Sequence, residues 1–397
     1  MKKQLLVLGL AFCGFSSAKA QSADIEWARG FGATGTGTDN AAAIVMEDAG
    51  NVYTAGMFTG TTDLDPGPGQ FSLTSTGDRD MYIQKLDADG NFVWAAGFQN
   101  SESKFASGIS VDPNGNVILV GRFRGTIDFD PSAATANLTA AALSGIPGSN
   151  DDAFIVKLDQ NGNYLWAYNF GQINGDMAVN VATDAAGNIY TTGYYTNAVD
   201  FNPAPGPVGQ GDVIPSDGGT DIFLQKLDSD GNLIWVKGFG GTGNDQGKSV
   251  VIDDNQNIYL ATIIASSGVD FDPNDPSNPT LSSAGGNDVA IVKFNQAGDH
   301  QWSKRIGSSL EENTWSIDVD HLGNPVLTGI YTGTVDFDPG SGTTSYTSTG
   351  NTDMFTLKLN TDGSFEWATS VGSPNADLAR WITTDAAGNI YTTGNFR

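Results

Sequence analysis

Pairs of oxygen-bearing side chains two residues apart recur five times along the chain, and their spacing suits a hard metal ion. The motif reads Asp-x-Asp-Pro, with asparagine at the third position in one copy. Two carboxylates at this spacing, joined by a third oxygen ligand, can bind calcium, which takes about six to eight such ligands. The predicted calcium ligands are Asp63, Asp65, Asp128, Asp130, Asp200, Asn202, Asp270, Asp272, Asp336 and Asp338.

A second interpretation of this motif needs no metal. The first aspartate can cap a chain reversal by accepting backbone N–H groups, while the proline fixes the corner. The sequence leaves both interpretations open. The turns at 87–91 and 228–232 also resemble the start of a calcium loop, but they lack its bidentate glutamate. We interpret them as hairpin turns with glycine or asparagine at positive φ.

No combination of residues indicates catalysis. The only cysteine is Cys13, the two histidines His300 and His321 fall at different places, and no nucleophile elbow is present, so acyl transfer and zinc chemistry have no support. A carboxylate pair could hydrolyse glycosides, but the acidic residues are spread evenly along the chain. We therefore expect a protein that is not an enzyme and that has no certain cofactor, with calcium as the one candidate.

A tandem repeat of about 65 to 72 residues positions all of these side chains. One tryptophan recurs in each copy, at Trp27, Trp94, Trp166, Trp235, Trp302 and Trp367. An acidic residue follows in a glycine-rich loop, at Asp39, Glu102, Asp176, Asp245, Glu312 and Asp377. An aspartate opens the third apolar run, at Asp80, Asp152, Asp221, Asp288 and Asp353, and a lysine lies near its end, at Lys85, Lys157, Lys226, Lys293 and Lys358.

The repeat predicts four short antiparallel strands. In the run 353–359, Phe355, Leu357 and Leu359 alternate with polar or smaller neighbours, which is the period of a β-strand. Gly-Asn turns separate the runs, and no run has a sustained helical period. The predicted fold is all-β: a β-propeller of four-stranded antiparallel blades, with five complete blades plus an incomplete sixth closed by the N-terminal strand.

The strand-turn-strand unit Ala-Gly-Asn-Ile-Tyr-Thr-Thr-Gly at 186–193, echoed at 387–394, resembles the SBBP-type β-propeller repeats of secreted bacterial proteins. The Asp-Phe-Asp-Pro and Lys-Leu-Asp-x-x-Gly-Asn elements share this resemblance, which covers 24–397. It implies a propeller exported to the cell surface or the medium, often within a larger protein. It implies no reaction, because such repeats share a fold and not an activity.

The ends of the chain carry further predictions. Lys2 and Lys3, the apolar run 5–15 and the small residues before position 21 predict a signal peptide at 1–20, cleaved after Ala20. We expect residues 21–397 to form the propeller, truncated at its C-terminus, and to be secreted or held at the cell surface. No other run is apolar over the ~18 residues that a membrane helix needs, so membrane insertion is not expected.

The net charge of −26 opposes binding to nucleic acid, which requires clustered lysine and arginine. If the strands follow propeller order, the loops from fourth to first strands and those from second to third strands share one face. We expect this long-loop face of a monomer to bind an extracellular glycan or protein. A structural spacer in a larger surface protein, and a carbohydrate-active hydrolase or lyase, are the alternatives.

The repeated tryptophans and lysines have two interpretations each. The tryptophans could stack on sugars, but one per repeat inside an alternating strand indicates packing between blades. The lysines could form a ring-shaped site, but positions near strand ends indicate long stems paired with neighbouring carboxylates. Trp315 and Trp381 lie outside the repeated tryptophan position. They are the better candidates for an aromatic side chain that faces a ligand.

Overall fold

A computed structural model describes residues 27–33, 38–141, 150–202, 212–273, 275 and 277–396. All regular structure in these residues is β-strand, as the alternation of apolar side chains predicts. The predicted signal peptide lies outside the described residues, as do Pro203 and parts of the two longest loops.

The strands follow nearly the same order in every repeat. The first repeat holds β1 (Gly32–Ala33), β2 (Asn40–Met46), β3 (Val52–Phe58), β4 (Thr61–Asp63), β5 (Ser72–Thr74), β6 (Asp80–Leu86) and β7 (Phe92–Phe98). The second holds β8 (Lys104–Val111), β9 (Val117–Phe123), β10 (Thr126–Asp128), β11 (Asn137–Thr139), β12 (Asp152–Leu158) and β13 (Tyr164–Phe170). The third holds β14 (Met177–Thr183), β15 (Ile189–Tyr195), β16 (Ala198–Asp200), β17 (Val213–Pro215), β18 (Asp221–Leu227) and β19 (Leu233–Phe239).

The remaining repeats continue this order. The fourth holds β20 (Gln246–Ile252), β21 (Ile258–Ile264), β22 (Asp288–Phe294) and β23 (His300–Ile306). The fifth holds β24 (Glu312–Val319), β25 (Pro325–Tyr331), β26 (Thr334–Asp336), β27 (Ser345–Thr347), β28 (Asp353–Leu359) and β29 (Phe365–Val371). The sixth holds β30 (Leu378–Thr384) and β31 (Ile390–Asn395).

Each of the first five repeats folds into one four-stranded antiparallel sheet, here called a blade. The blades are β2-β3-β6-β7, β8-β9-β12-β13, β14-β15-β18-β19, β20-β21-β22-β23 and β24-β25-β28-β29. The short strands pair as connector hairpins, β4–β5, β10–β11, β16–β17 and β26–β27, between the second and third strands of a blade. In blade four, an isolated bridge between Val269 and Leu281 takes the place of this hairpin. Four-stranded antiparallel sheets in tandem fit a β-propeller.

Successive blades pack through their first strands, which lie side by side. In each first strand from β8 onward, one branched aliphatic side chain is buried at this contact, namely Ile109, Val181, Val250, Ile317 and Ile382. The backbone N–H of three of them also donates to a side chain of the preceding blade. Val250 donates to Asn180 Oδ1 at 3.0 Å, and Ile317 donates to Ser249 Oγ at 3.3 Å. The hydrophobic core is therefore divided among the blade contacts.

The turns of the type Asp-x-x-Gly-Asn are capped by their own aspartate. Asp184 Oδ1 accepts the N–H groups of Ala186 and Asn188, both at 2.9 Å. Asp87 Oδ1 accepts two N–H groups in the same pattern, and Gly90 and Gly231 have φ of 78° and 87°. The turns at 87–91 and 228–232 are therefore hairpin turns, as predicted.

The predicted closure of the sixth blade by the N-terminal strand is not found in the described residues. β30 pairs with β31 and with no third strand, whereas Trp27 Nε1 donates to Ala88 O of blade one at 3.0 Å. Ile44 holds the register position of Ile317 in blade one, yet it is 51% exposed. The described part of the chain is thus an open series of blades, because no blade covers this face of blade one.

The contrast between Ile317 and Ile44 predicts two different mutational effects. Ile317→Ala removes a side chain that is 5% exposed at a blade contact, and we expect it to lower the free energy of unfolding by about 2 to 4 kcal/mol. Ile44→Ala changes an exposed residue in the same register position, and we expect a change within about 0.5 kcal/mol. Denaturant unfolding of both variants measures this difference. Equal losses would show that another surface covers Ile44 in solution.

Candidate functional site

The two long loop classes meet on one side of the blades, here called the loop face. Asp176, in the loop before β14, accepts the N–H of Thr196 after β15 at 2.7 Å. In blade four, Asp245 Oδ1 accepts the N–H of Ala265 at the same distance. The loops from fourth to first strands therefore contact the connectors from second to third strands. This confirms the prediction that both classes share a face.

The Asp-x-Asp-Pro corners lie at the roots of the connectors, where their aspartates cap the backbone. Asp63 Oδ1 accepts the N–H groups of Asp65 and Phe71, at 3.1 and 2.9 Å. Asp65 Oδ1 in turn accepts the N–H of Gly67 at 2.7 Å. The pairs Asp128–Asp130 and Asp336–Asp338 repeat this pattern. The first aspartate thus fixes both strands of the connector hairpin.

The other two corners close in a different way. Asp200 Oδ1 accepts the N–H of Asn202, whose side-chain amide donates to Asp212 Oδ2 at 2.8 Å. Asp270 Oδ1 accepts the N–H of Asp272, and Asp272 Oδ2 accepts Asn278 Nδ2 at 2.8 Å. In the described residues no three carboxylate, histidine or cysteine side chains are grouped to hold a metal ion. Calcium at the corners stays a prediction.

The acidic residues of the loops before the first strands are mostly buried. Asp176, Asp245, Glu312 and Asp377 are all 0% exposed. Glu102 is exposed instead, and Lys104 occupies the equivalent place at the start of β8. Including Glu102 among the repeated acids was therefore wrong. The spacing from the repeated tryptophan identifies the equivalent residues correctly. Ten residues after that tryptophan the chain has Lys104, Asp176, Asp245, Glu312 and Asp377.

A second buried carboxylate faces each of these loops. It belongs to the aspartate that opens the third strand of the preceding blade. Burial raises the pKa of Asp176 to about 7, and the charge of Asp152 adds to this shift. Burial likewise raises the pKa of Asp221 to about 6, with a further contribution from Asp245. We call these places the blade junctions. Each of these two brings two like charges together away from water.

The repeated tryptophans and lysines lie on the opposite side, here called the turn face. Trp94 Nε1 donates to Gln160 O, in a turn of the next blade, at 3.0 Å, and its ring covers Gly162 of that turn. Lys157 Nζ lies 2.8 Å from both Ser229 O and Asp112 Oδ2. The tryptophans therefore pack between blades, as predicted. Lys85, Lys157 and Lys358 pair with carboxylates, also as predicted. Lys226 and Lys293 instead donate to backbone carbonyl oxygens and lie over the rings of Tyr190 and Tyr259.

Trp315 and Trp381 occupy two different register positions. Trp315 is the extra residue of the bulge in β24, and Arg380 lies over its ring at 5.6 Å. Trp381 pairs with Thr393, as Ser316 pairs with Thr328 in blade five. Ser316 Oγ accepts the N–H of Ile382 in the next repeat, whereas Trp381 is 37% exposed. Trp381 therefore lies at the uncovered end of the blade series.

The chain was compared with known proteins. No family model matches it, so the resemblance to SBBP-type repeats stays a prediction. It is 24% identical over 417 residues to an uncharacterized WD repeat-containing protein, L264, of Acanthamoeba polyphaga mimivirus, covering 89% of the chain and 30% of that protein. It is 28% identical over 192 residues to the regulatory protein FlaEY of Caulobacter vibrioides, covering 45% of the chain and 19% of that protein.

The chain thus spans less than a third of the length of these curated relatives. A solved structure of a protein of unknown function from Dyadobacter fermentans is 9% identical, with a TM-score of 0.43 over 90% of the chain and 94% of that structure. The four-stranded sheets and the WD repeat-containing relative together indicate a repeat protein of the β-propeller type. Among the described residues no helix could cross a membrane.

The capping of the corners predicts how they respond to substitution. In a chelator, Asp336→Ala removes the acceptor for the N–H groups of Asp338 and Thr344, and we expect it to lower the free energy of unfolding by about 1 to 2 kcal/mol. Asp336→Asn keeps one acceptor oxygen and should cost less. Denaturant unfolding compares the two variants. A calcium-dependent stabilisation that Asp336→Asn abolishes would instead make this corner a metal site.

The raised pKa values of Asp176 and Asp221 predict a pH dependence. The folded chain holds these protons more tightly than the unfolded chain, so their contribution to stability is present at low pH and lost as pH rises through the folded-state pKa. We expect the free energy of unfolding in a chelator to fall between about pH 4 and pH 7. Asp152→Asn removes a charge that raises the pKa of Asp176, and it should flatten the fall. An unchanged slope would show that the two carboxylates do not interact.

Proposed function

We propose that this protein is a non-catalytic interaction module, secreted or at the cell surface, that binds a protein or a glycan through its loop face. The rigid roots and exposed tips of the connectors support this proposal. Phe129 and Phe337 at the roots are fully buried, whereas the tips at 67–70, 132–135 and 340–343 are exposed. Varied tips on a fixed frame are suited to recognition.

Exposed aliphatic side chains on the loop face favour a protein partner over a glycan. Ile173 and Leu310, in loops before first strands, are 38% and 46% exposed, and Val213 on a connector is 42% exposed. Phe396, directly after β31, is an exposed aromatic side chain at the loop-face end of the sixth repeat, whereas the other large exposed hydrophobic side chains of the described loop-face loops and connectors are aliphatic. Aromatic rings on which a glycan could stack are therefore few on this face. The aliphatic residue type is not part of the repeat. Blade four, for example, has Thr242 at the position that Ile173 occupies in blade three.

The WD repeat-containing relative is consistent with a generic interaction module, although it is distant and covers the chain with only 30% of its own length. Hydrolysis of glycosides has less support, because the repeated carboxylates of the loop face cap backbone N–H groups. Carboxylates that cap backbone N–H groups in this way stabilise the connectors, which makes them less suited to act as an acid and a nucleophile.

A structural spacer in a larger surface protein is the second candidate. The open ends of the blade series favour it. Ile44 and Met46 are about half exposed on blade one, and Trp381 is exposed on the sixth repeat. Further blades or another domain that cover these side chains would make the described blades one part of a longer array.

Two substitutions on opposite faces test the proposed function. Immobilised polysaccharides and a displayed peptide library serve as probes, and release of reducing sugar is followed in parallel. We expect selected probes to bind without cleavage, and Ile173→Asp with Leu310→Asp to weaken binding about tenfold or more. Leu322→Asp, at a residue 63% exposed on the turn face, is the matched control and should leave binding unchanged.

Three results would contradict the proposal. Equal weakening by the control would remove the loop face from the interaction. Cleavage of a polysaccharide would favour the hydrolase. Binding of no probe by the wild-type protein, with the melting temperature unchanged by all three substitutions, would favour the spacer.

A further inference from the structure

We propose that two blade junctions are binding sites for a hard divalent cation of the calcium class. One site is formed by Asp152 and Asp176 and the other by Asp221 and Asp245. These residues are distinct from the Asp-x-Asp-Pro corners. The proposal also goes beyond loop-face recognition, because the cation would join one blade to the next.

The carboxylates of each junction converge on a glycine that follows the fourth strand. The position that a Cβ atom would occupy at Gly171 lies 2.7 Å from Asp176 Oδ2 and 2.8 Å from Asp152 Oδ1. At the next junction, a Cβ at Gly240 would collide with Asp221 Oδ1, and the adjacent Gly241 N–H donates to Asp245 Oδ2 at 3.0 Å. At the first junction, oxygens from two carboxylates therefore border one small space, and at the second junction the two carboxylates contact adjacent glycines.

One oxygen at each junction lacks a hydrogen-bond partner. Asp152 and Asp221 are each 2% exposed, and their Oδ1 atoms receive no hydrogen bond in the described structure. Asp152 Oδ2, by contrast, accepts Ala141 N and Asn169 Nδ2. A buried charged oxygen without a partner is strongly unfavourable. A bound cation would supply the missing interaction.

The junction between blades one and two contains a cation from the chain itself. Lys104 Nζ lies 2.5 Å from Asp80 Oδ1, and both side chains are fully buried. The same ammonium group donates to the carbonyl oxygens of Arg79, Asn100 and Glu102, at 2.9 to 3.0 Å. A blade junction can therefore surround a positive charge with one carboxylate and three backbone oxygens.

The charges at the equivalent places indicate a divalent ion. Lys104 and Asp80 sum to zero, whereas Asp152 and Asp176, when ionised, sum to −2. One divalent cation restores the balance, and its ligands would be carboxylate and backbone oxygens, the types that calcium prefers. Arg122 and Arg124 both bind the carboxylate of Asp151, and in the described residues neither forms an ion pair with Asp152 or Asp176.

The other two junctions between carboxylates are not proposed as cation sites. At the junction of Asp288 and Glu312, Arg305 already contacts Asp288. At the last one, Asp353 accepts the N–H and the hydroxyl of Thr349 and has no unpartnered oxygen among the described contacts. The proposal is therefore limited to the junctions before blades three and four.

Calcium binding to the whole chelator-treated protein tests the proposal, with the number of bound ions measured by equilibrium dialysis and by calorimetry at neutral pH. We expect Asp152→Asn and Asp221→Asn each to lower that number by one, and the double variant by two. Each variant should remain folded in chelator, because it removes an unpaired buried charge. Asp336→Asn is the matched control at a corner, and it leaves both junction ions in place.

A reverse substitution adds an independent measurement. Lys104→Asp creates a carboxylate pair with Asp80, and we expect it to gain one calcium ion and a calcium-dependent rise in melting temperature. If this variant does not fold, the asparagine variants decide alone. A wild-type protein that binds no calcium, or an ion count that Asp152→Asn and Asp221→Asn leave unchanged, would overturn the proposal.

Discussion

Each blade is a single β-sheet with two faces, and the side chains on these faces are shielded from water only where a neighbouring blade covers them. This contact between blades is the interaction on which the other features depend. Where it exists, the first-strand position of Ile317 is 5% exposed, and where it is lacking, the same position at Ile44 is 51% exposed. The blade is too thin to have a core of its own. Sequence repetition is thus a requirement of stability, because every blade must match both of its neighbours.

The blade contact also determines where charges are buried. A loop that enters the first strand must satisfy its own N–H groups, and Asp176 does so by accepting Gln172 N and Thr196 N. The third strand of the preceding blade opens at the same place with Asp152, which accepts N–H groups of its own connector and fourth strand. Each cap is favourable within its blade, and stacking the blades places the two carboxylates together. Burial is the main cause of the raised pKa values of Asp176 and Asp221, and the carboxylate across the blade contact raises each of them further.

The sequence predicted the features that depend on local order. Strand alternation, glycine turns and the packing of Trp94 on the next blade all repeat at a fixed spacing, so the structure of one repeat predicts the structure of the others. Ring closure could not be predicted in this way, since it depends on contacts between the ends of the series, where Ile44 has no covering blade. Lys104 was missed for a different reason. A search for repeated acids selected Glu102, two residues too early, although the spacing from Trp94 identified the lysine.

The corners and the junctions differ in how their carboxylates face the surrounding backbone, and this difference decides where a cation fits better. At a corner, Asp336 Oδ1 already accepts two N–H groups, and an ion bound to that oxygen would approach their positively polarised hydrogens. At a junction, Asp221 Oδ1 is buried and receives no donor, although the second carboxylate there, Asp245, accepts N–H groups as the corner aspartates do. Lys104 shows that the same place in the fold accepts a positive charge when the chain supplies one. The residue that differs between repeats at the blade junction, lysine in one and a carboxylate in others, therefore indicates a ligand more specifically than the Asp-x-Asp-Pro motif, which recurs in nearly the same form.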